Sequence, residues 1–360
     1  MKGPIAVVLC LSLLFSAITA SAQFVKTKDL EKMKKRTRII VVKEKPDKKI
    51  LKQLGRTSPE MANAYKQSIR QLNQDFPEAV RQFWTVNGSA TIEVRTEKEI
   101  EKIRKKNDRT SIVMDIQSLH VKPGVKSRYA KMTRTYTAPL SWQKDPKDLS
   151  IPVINMTFIE NNPQSPFYIQ NMSDSFPDFI DLAVGLRLAT FVFNEQLEGK
   201  TNTILQKKVK HNAVLMKGKT LVLCKEWLDE TFEAKIAQKD YPFPIRYVTL
   251  PELEALVRTD IYDNTIVAYV PAGVFSTFDK NAPSMEVHVP VVFDPVNGMP
   301  LCHSDISDQM FQAWGYSLIP RMGKSIVGFK KIRNEDIRHF AKSITEGEEQ
   351  ETIEAGMGGD

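Results

Sequence analysis

A short apolar run with polar ends occurs twice in the chain. The first copy is Arg38–Glu44 (RIIVVKE) and the second is Thr220–Glu226 (TLVLCKE), 182 residues later. Runs of this length, rich in Val, Ile and Leu, are typical of strands that are buried on both faces of a sheet. A third, looser copy lies at Lys324–Lys331. The repeat therefore favours an α/β chain that uses one sheet plan twice.

A second repeat carries helix-capping chemistry as well as apolar spacing. A strand-like segment at 90–94 leads into Thr96–Ile103, which opens with Thr and has Glu three residues later. The segment Thr249–Leu256 repeats this pattern 153 residues after the first. Thr followed by Glu at this spacing is the capping-box signature of a helix start. A further strand is predicted after each helix, at Ser111–Ile116 and Thr265–Val270.

The remaining segments complete two similar units. In the first, Ser58 to Trp84 has helical apolar spacing, and we expect Pro77 to break the helix. In the second, Trp227–Gln238 takes that place, and Asn297-Gly298 indicates a hairpin. Hairpin strands are predicted at Ala130–Thr137, Val153–Glu160, Met285–Phe293 and Met299–His303, and closing helices at Phe176–Leu197 and Ser307–Leu318.

Each unit thus has the order strand–helix–strand–helix–strand–hairpin–helix. This order predicts an α/β fold with α+β-like mixed sheets and two tandem related units. It resembles, in topology, the small α/β domains of periplasmic Tol-system and curli-export proteins. The predicted organisation is a signal peptide at 1–22, a basic arm at 23–36, α/β units at 37–200 and 201–345, and an acidic disordered tail at 346–360.

The amino-terminal segment predicts export. Lys2 precedes an apolar run from Ile5 to Phe15, and the segment ends in Ala20-Ser21-Ala22. A charged start, an apolar middle and small residues at the end are typical of a secretory signal peptide. The apolar run is shorter than the ~20 residues that a membrane-spanning helix needs. We expect cleavage after Ala22 and a periplasmic or extracellular mature protein.

The positive charge of the chain is concentrated near the mature amino terminus. The formal net charge is +8, but residues 23–56 alone carry +9 and residues 346–360 carry −6. A basic segment attracts polyanions. Nucleic acid is not expected, because an exported protein rarely meets it and no aromatic residue is interleaved with the basic ones for base stacking. We expect Lys34, Lys35, Arg36 and Arg38 to contact an envelope protein, a polysaccharide or an anionic lipid surface; the alternative is a solvated linker.

Motifs for catalysis or metal binding are weak. Gly218-Lys219-Thr220 and Gly323-Lys324-Ser325 lack the earlier glycine of a phosphate-binding loop and precede strands. The five histidines show no zinc-ligand spacing, and no serine-nucleophile motif occurs. Asp178 and Asp181 share a helix face, where acids of the first turn commonly interact with the helix dipole. No cofactor and no metal are expected.

Two function classes remain. The favoured one is a non-enzymatic exported or periplasmic protein with a binding or assembly role in the cell envelope. The alternative is a secreted hydrolase or thiol enzyme that uses Cys302, His303 and Asp305. Adjacent residues on a strand point to opposite faces, which weakens the alternative. Cys224 lies in an apolar run and resembles a buried thiol, and its pairing with Cys302 is left open.

Overall fold

The computed structural model describes residues 25–121, 131–133, 149–163, 166–172, 177–200, 211–260, 262, 264–275, 285–304 and 331–357. The predicted signal peptide, the helix at Ser307–Leu318, Asp305 and all of the strand copy at Lys324–Lys331 except Lys331 lie outside these residues. The chain packs as two compact units. Of the described residues, those within 25–197 together with 274, 275 and 285 form the amino-terminal unit, and those within 198–273 and 286–357 form the carboxy-terminal unit.

The amino-terminal unit is built on a six-stranded mixed sheet. Its strand order is β2-β1-β3-β5-β6, and β4 pairs with β3. The first three strands of that order run parallel, and β5 and β6 are antiparallel to their neighbours. The elements are α1 (Thr27–Lys34), β1 (Arg38–Val42), α2 (Lys48–Thr57), α3 (Pro59–Phe83), β2 (Thr91–Arg95), α4 (Glu97–Lys105), β3 (Ser111–Val121), β4 (Lys131–Thr133), β5 (Leu149–Phe158), β6 (Tyr168–Asn171) and α5 (Phe179–Leu197).

The carboxy-terminal unit is built on a five-stranded sheet in the order β13-β12-β9-β7-β8. Strands β10 and β11 form a separate two-stranded sheet. Short 3₁₀ turns at Ala213–Met216 and Lys225–Trp227 flank β7. The elements of this unit are β7 (Thr220–Cys224), α6 (Ala234–Asp240), β8 (Ile245–Val248), α7 (Leu250–Thr259), β9 (Thr265–Tyr269), β12 (Val291–Phe293), β13 (Pro300–His303) and α8 (Asn334–Met357), and the residues of β10 (Ala272–Phe275) and β11 (Met285–His288) are divided between the two units.

The two main sheets follow the same plan, which confirms the predicted α/β fold with mixed sheets in two related units. In each, the repeated apolar strand lies between two parallel neighbours, and an antiparallel strand follows on one side. Ile39 pairs with Ile112 in the first sheet, and Leu221 pairs with Ile266 in the second. The helices α4 and α7 both begin with the predicted capping box. Among the described residues, no helix is long and apolar enough to span a membrane.

Helix α3 is continuous through Pro77, where the sequence predicts a break. Proline inside a helix removes one hydrogen bond and costs about 3 kcal/mol. The helix nevertheless continues because Phe76, Val80 and Phe83 are buried, and each such side chain contributes about 1.5–3 kcal/mol. Thr190 of α5 also donates a hydrogen bond to the Phe83 carbonyl at 3.1 Å.

Three further expectations differ from the structure. The predicted strand at Met285–Phe293 is two strands, β11 and β12, which are separated around Pro290 because proline has no amide hydrogen for the ladder. The predicted disordered tail at 346–360 is helical to Met357, because α8 begins upstream and Ile337 and Phe340 anchor it in the core of its unit. The basic arm at 23–36 is not a free linker, because α1 buries Leu30 and Met33.

Candidate functional site

A cleft of about 500 Å³ opens at the carboxyl ends of the parallel strands β1 and β2. Its walls are the loop 43–47 that follows β1, the first turn of α2, the first turn of α4 and Tyr65 of α3. Ligands of open α/β sheets bind outside the carboxyl ends of the strands, since the loops and helix starts converge there. The cleft lies at this end of the sheet, beside β1 and β2, and its lining includes no residue of β3, which borders the switch point of this strand order.

The loop on one side of the cleft is held in place by α3. The Asn73 side chain accepts a hydrogen bond from the Glu44 amide at 2.7 Å and donates one to the Glu44 carbonyl at 2.9 Å. The Tyr65 hydroxyl accepts from the Asp47 amide at 3.1 Å, and burial raises the pKa of Tyr65, so the hydroxyl stays neutral. The Lys43 amide donates to the Arg95 carbonyl at 2.8 Å. The loop backbone is thus fixed before any ligand arrives.

The start of α2 carries an unusual charge pattern. Asp47 caps the helix and accepts from the amides of Lys49 at 2.6 Å and Ile50 at 3.1 Å. The first turn contains no acid, and its first two residues are Lys48 and Lys49. Positive charge at a helix amino terminus opposes the helix dipole by about 0.3–1 kcal/mol for each residue. These lysines therefore do not stabilise the helix in which they lie.

Five lysines surround the cleft with their ammonium groups exposed. Within the described chain, none of them forms an ion pair or a side-chain hydrogen bond, unlike Lys32 or Lys219 elsewhere in the chain. Three acids also line the cleft, so that the formal net charge of its lining is +2. The lysines are Lys43, Lys45, Lys48, Lys49 and Lys98, and the acids are Glu44, Asp47 and Glu97.

The four basic residues that the sequence singled out fall into two groups. Lys34 and Lys35 are exposed at the end of α1. Arg36 is only 5% exposed and donates to Glu160 at 2.5 Å. Arg38 pairs with Asp108 and donates to Ser111 at 2.7 Å. The two arginines therefore stabilise the fold, and only the two lysines are available to a partner.

The basic segment 26–56 does not form one patch. Lys34 and Lys35 precede β1, whereas the lysines at 43–49 follow its other end, and five strand residues span about 17 Å. The sequence patterns above do not single out the lysines that line the cleft. The signal that could have found them is their position directly after the first parallel strand, and Lys48-Lys49 after the capping Asp47. Lys98 is brought to the same cleft by the first turn of α4.

The candidate thiol site has a buried sulfur. Cys302 is 3% exposed, its thiol donates to the His303 carbonyl at 3.6 Å, and burial raises the pKa of Cys302 to about 12. A His303 ring nitrogen lies 3.0 Å from the Ser304 carbonyl oxygen. Asp305 lies outside the described residues. Cys302 therefore carries no thiolate at neutral pH, and Cys302 and Cys224 are both unpaired.

In the carboxy-terminal unit, a carboxylate of the chain lies at the start of α7, the helix that corresponds to α4. Glu226 follows β7 as Glu44 follows β1, and its Oε2 accepts from the Leu250 amide at 3.0 Å in the first turn of α7. The same oxygen accepts from the Cys224 thiol at 3.2 Å. Burial opposes ionisation of Glu226, but the hydrogen bonds from Leu250 and Cys224 outweigh it and lower its pKa. An anion of the chain itself is thus bound at this position.

Asp178 and Asp181 form hydrogen bonds with each other at the start of α5. The Asp181 amide donates to Asp178 Oδ1 at 2.9 Å, and the Asp178 amide lies 3.4 Å from Asp181 Oδ2. Among the described residues, no group of three or more His, Cys, Asp or Glu side chains could hold a metal ion.

The chain matches no protein-family model, no curated protein and no solved structure.

Proposed function

We propose that the protein is a non-enzymatic exported protein that binds an anionic component of the cell envelope through the lysine cleft. The lysine cleft is the site formed by Lys43, Lys45, Lys48, Lys49 and Lys98. The observation that carries the proposal is that these five ammonium groups have no ion-pair partner within the described chain. Unpaired like charges around one cleft repel each other, so a bound anion stabilises the arrangement.

The expected export supports an envelope component as the partner. The amino-terminal segment has the pattern of a signal peptide, and this prediction places the mature chain outside the cytoplasm. The fixed backbone of the loop supports ligand binding, because Asn73 and Tyr65 hold it in place before a ligand arrives. A preorganised loop lowers the entropy that is lost on binding.

The test compares two variants of the mature chain that lose the same charge. In the first, Lys43, Lys45, Lys48 and Lys49 are changed to Gln. In the control, Lys26, Lys28, Lys34 and Lys35, which are exposed before β1, are changed to Gln. Retention on polyglutamate beads and on phosphatidylglycerol vesicles is measured as NaCl is raised.

We expect the parent chain and the control to bind at least one of these anionic surfaces in a salt-sensitive way. The cleft variant should lose binding at least tenfold, because four cations leave one site. Equal binding by the two variants would show that only total charge matters and would overturn the proposal. Absence of binding by the parent chain to both surfaces would overturn it as well.

A further inference from the structure

The shape and size of the lysine cleft fit a single compact anionic group. Its volume of about 500 Å³ lies in the range of small-ligand pockets, about 300–1,000 Å³. A flat polyanion surface would not need a recess with a fixed backbone. The occupant is therefore a small anion or the charged end of a larger molecule that enters the cleft.

The cations that line the cleft are all lysines. Arginine presents a planar fork that matches carboxylates and phosphates alike in two parallel hydrogen bonds, whereas lysine is a compact point charge that an anion can approach from several sides. No arginine contributes to the walls of the cleft, which hold five lysines. This composition suits an anion with several acceptor oxygens, and the charge of the bound group has to distinguish phosphate from carboxylate.

Two backbone amides of residues that line the cleft are not used by the fold. Within the described chain, no acceptor is hydrogen-bonded to the amides of Lys45 and Lys48, although the neighbouring amides of Glu44, Asp47 and Lys49 are all bonded. Lys48 is the first residue of α2, so its amide has no partner inside the helix. Because a phosphate monoester offers three acceptor oxygens, it can use amides and ammonium groups together.

The charge of the cleft also matches such a group. Five lysines against three acids leave two positive charges. A phosphate monoester carries about −1.5 to −2 at pH 7, whereas a carboxylate or a phosphodiester carries −1. A monoester therefore neutralises the excess charge most completely.

From these observations we infer that the lysine cleft binds a phosphate group with a single substituent or none. The ligand is a phosphate monoester at the end of a lipid or a sugar, or inorganic phosphate itself. The inference rests on the proposed function, since it names the chemical class of the anion. The cleft lysines and the amides of Lys45 and Lys48 would contact the phosphate oxygens, and the rest of the ligand would extend toward solvent.

The experiment measures binding of the mature chain to soluble and membrane-bound probes at one ionic strength. Inorganic phosphate and glucose 6-phosphate are titrated by calorimetry, with succinate as a dicarboxylate of equal charge. Vesicles that contain phosphatidic acid are compared with phosphatidylglycerol vesicles of equal surface charge. Each titration is repeated with K48Q/K49Q and with the control K105Q/K106Q, two exposed lysines at the far end of α4, and circular dichroism checks that both are folded.

We expect a phosphate monoester, in at least one of its forms, to bind at least tenfold more tightly than its carboxylate or diester match. K48Q/K49Q should lose at least tenfold in affinity, while K105Q/K106Q stays within twofold. Affinity should fall from pH 7.5 to pH 5, because the second pKa of the ester is about 6. Binding to phosphatidic acid vesicles alone identifies the ligand as a lipid monoester. Binding to glucose 6-phosphate or to inorganic phosphate identifies it as a sugar phosphate or as free phosphate.

Two results would overturn the inference in different ways. If succinate or phosphatidylglycerol competes as well as its phosphate match, and K48Q/K49Q weakens both, the cleft binds anions but not phosphate monoesters in particular. The proposed function would then stand without the further inference. If no probe is bound, or the two double variants lose binding equally, both proposals fail.

Discussion

At the scale of single residues, Lys49 opposes the stability of the helix in which it lies. It is in the first turn of α2, whose amides carry the positive end of the helix dipole, and the turn contains no acid. Residues that break a local stability rule are often found at functional sites, where the rest of the fold compensates for them. Lys49 therefore offers a way to separate stability from binding.

We expect Lys49→Glu to raise the free energy of unfolding by about 0.5–1 kcal/mol, because an acid now meets the helix amino terminus. The same variant should bind anions more weakly than the parent chain. Urea denaturation and the binding assays are run together. Lys105→Glu is the matched control, since it introduces the same charge change in the last turn of α4 and should lower stability. A loss of stability in Lys49→Glu would contradict the dipole argument.

A second residue-scale prediction concerns Asp108, which joins the amino ends of β1 and β3. Its carboxylate accepts from Ser111 Oγ at 2.6 Å and from the Thr110 amide at 2.8 Å, and it pairs with Arg38. Burial raises the pKa of Asp108, but these hydrogen bonds outweigh the burial and hold the pKa well below its usual range. The contribution to stability is thus complete above the unfolded pKa of about 4 and is lost as the pH falls further.

Asp108→Asn should therefore destabilise the chain by about 1–3 kcal/mol at pH 7 and by much less at pH 2. The measurement is urea denaturation across this pH range. Asp47→Asn is a suitable control, because asparagine also caps a helix and the loss should be a few tenths of a kcal/mol. A difference between Asp108→Asn and the parent chain that stays constant with pH would contradict the role of the ionised carboxylate.

At the scale of elements, α1 is attached to the sheet through one carboxylate. Glu160 Oε1 accepts from Lys32 at 2.8 Å and from Arg36 at 2.5 Å. Both cations also lie over the Phe158 ring, at 4.2 and 4.8 Å from its centroid. Asn87 donates to the Met33 carbonyl at 2.7 Å and closes the end of α1.

Glu160→Gln should loosen α1, because two cations lose their shared partner while Arg36 stays buried. Hydrogen exchange followed by mass spectrometry is expected to show at least tenfold faster exchange in α1, with β1 and β3 little changed. Glu31→Gln, at an exposed position of α1, is the control. Unchanged exchange in α1 would mean that Leu30 and Met33 alone hold the helix.

The elements also differ in how far the sequence predicts them. The strands β1 and β7 and the capped helices α4 and α7 are correct because their signals are local. The sequence analysis did not predict α1 and α2, since their lysine-rich sequences leave only sparse apolar positions, which become buried after packing. The lysine cleft was missed for another reason. Lys98 and the loop after β1 are far apart in sequence and meet only through the parallel pairing of β1 and β2.

At the scale of the whole molecule, each unit has its own buried core. The core of the carboxy-terminal unit includes Leu221, Ile266 and Phe340, and a cluster in the amino-terminal unit joins Ile40, Val113 and other residues around α4. Ile112 and Ile266 occupy matching positions of the two sheets and are both fully buried. Replacing either by Ala removes about the same buried volume and should cost about 2–5 kcal/mol.

We expect the two substitutions to act on different parts of the chain. Ile266→Ala should speed hydrogen exchange in β7, β9 and α7 and leave β1, β3 and the affinity of the lysine cleft unchanged. Ile112→Ala should do the reverse, speeding exchange in β1 and β3 and weakening anion binding as its sheet opens. Cooperative units exchange separately when few contacts couple them. If either variant speeds exchange throughout the described chain, the two units unfold as one, and the cleft depends on both cores.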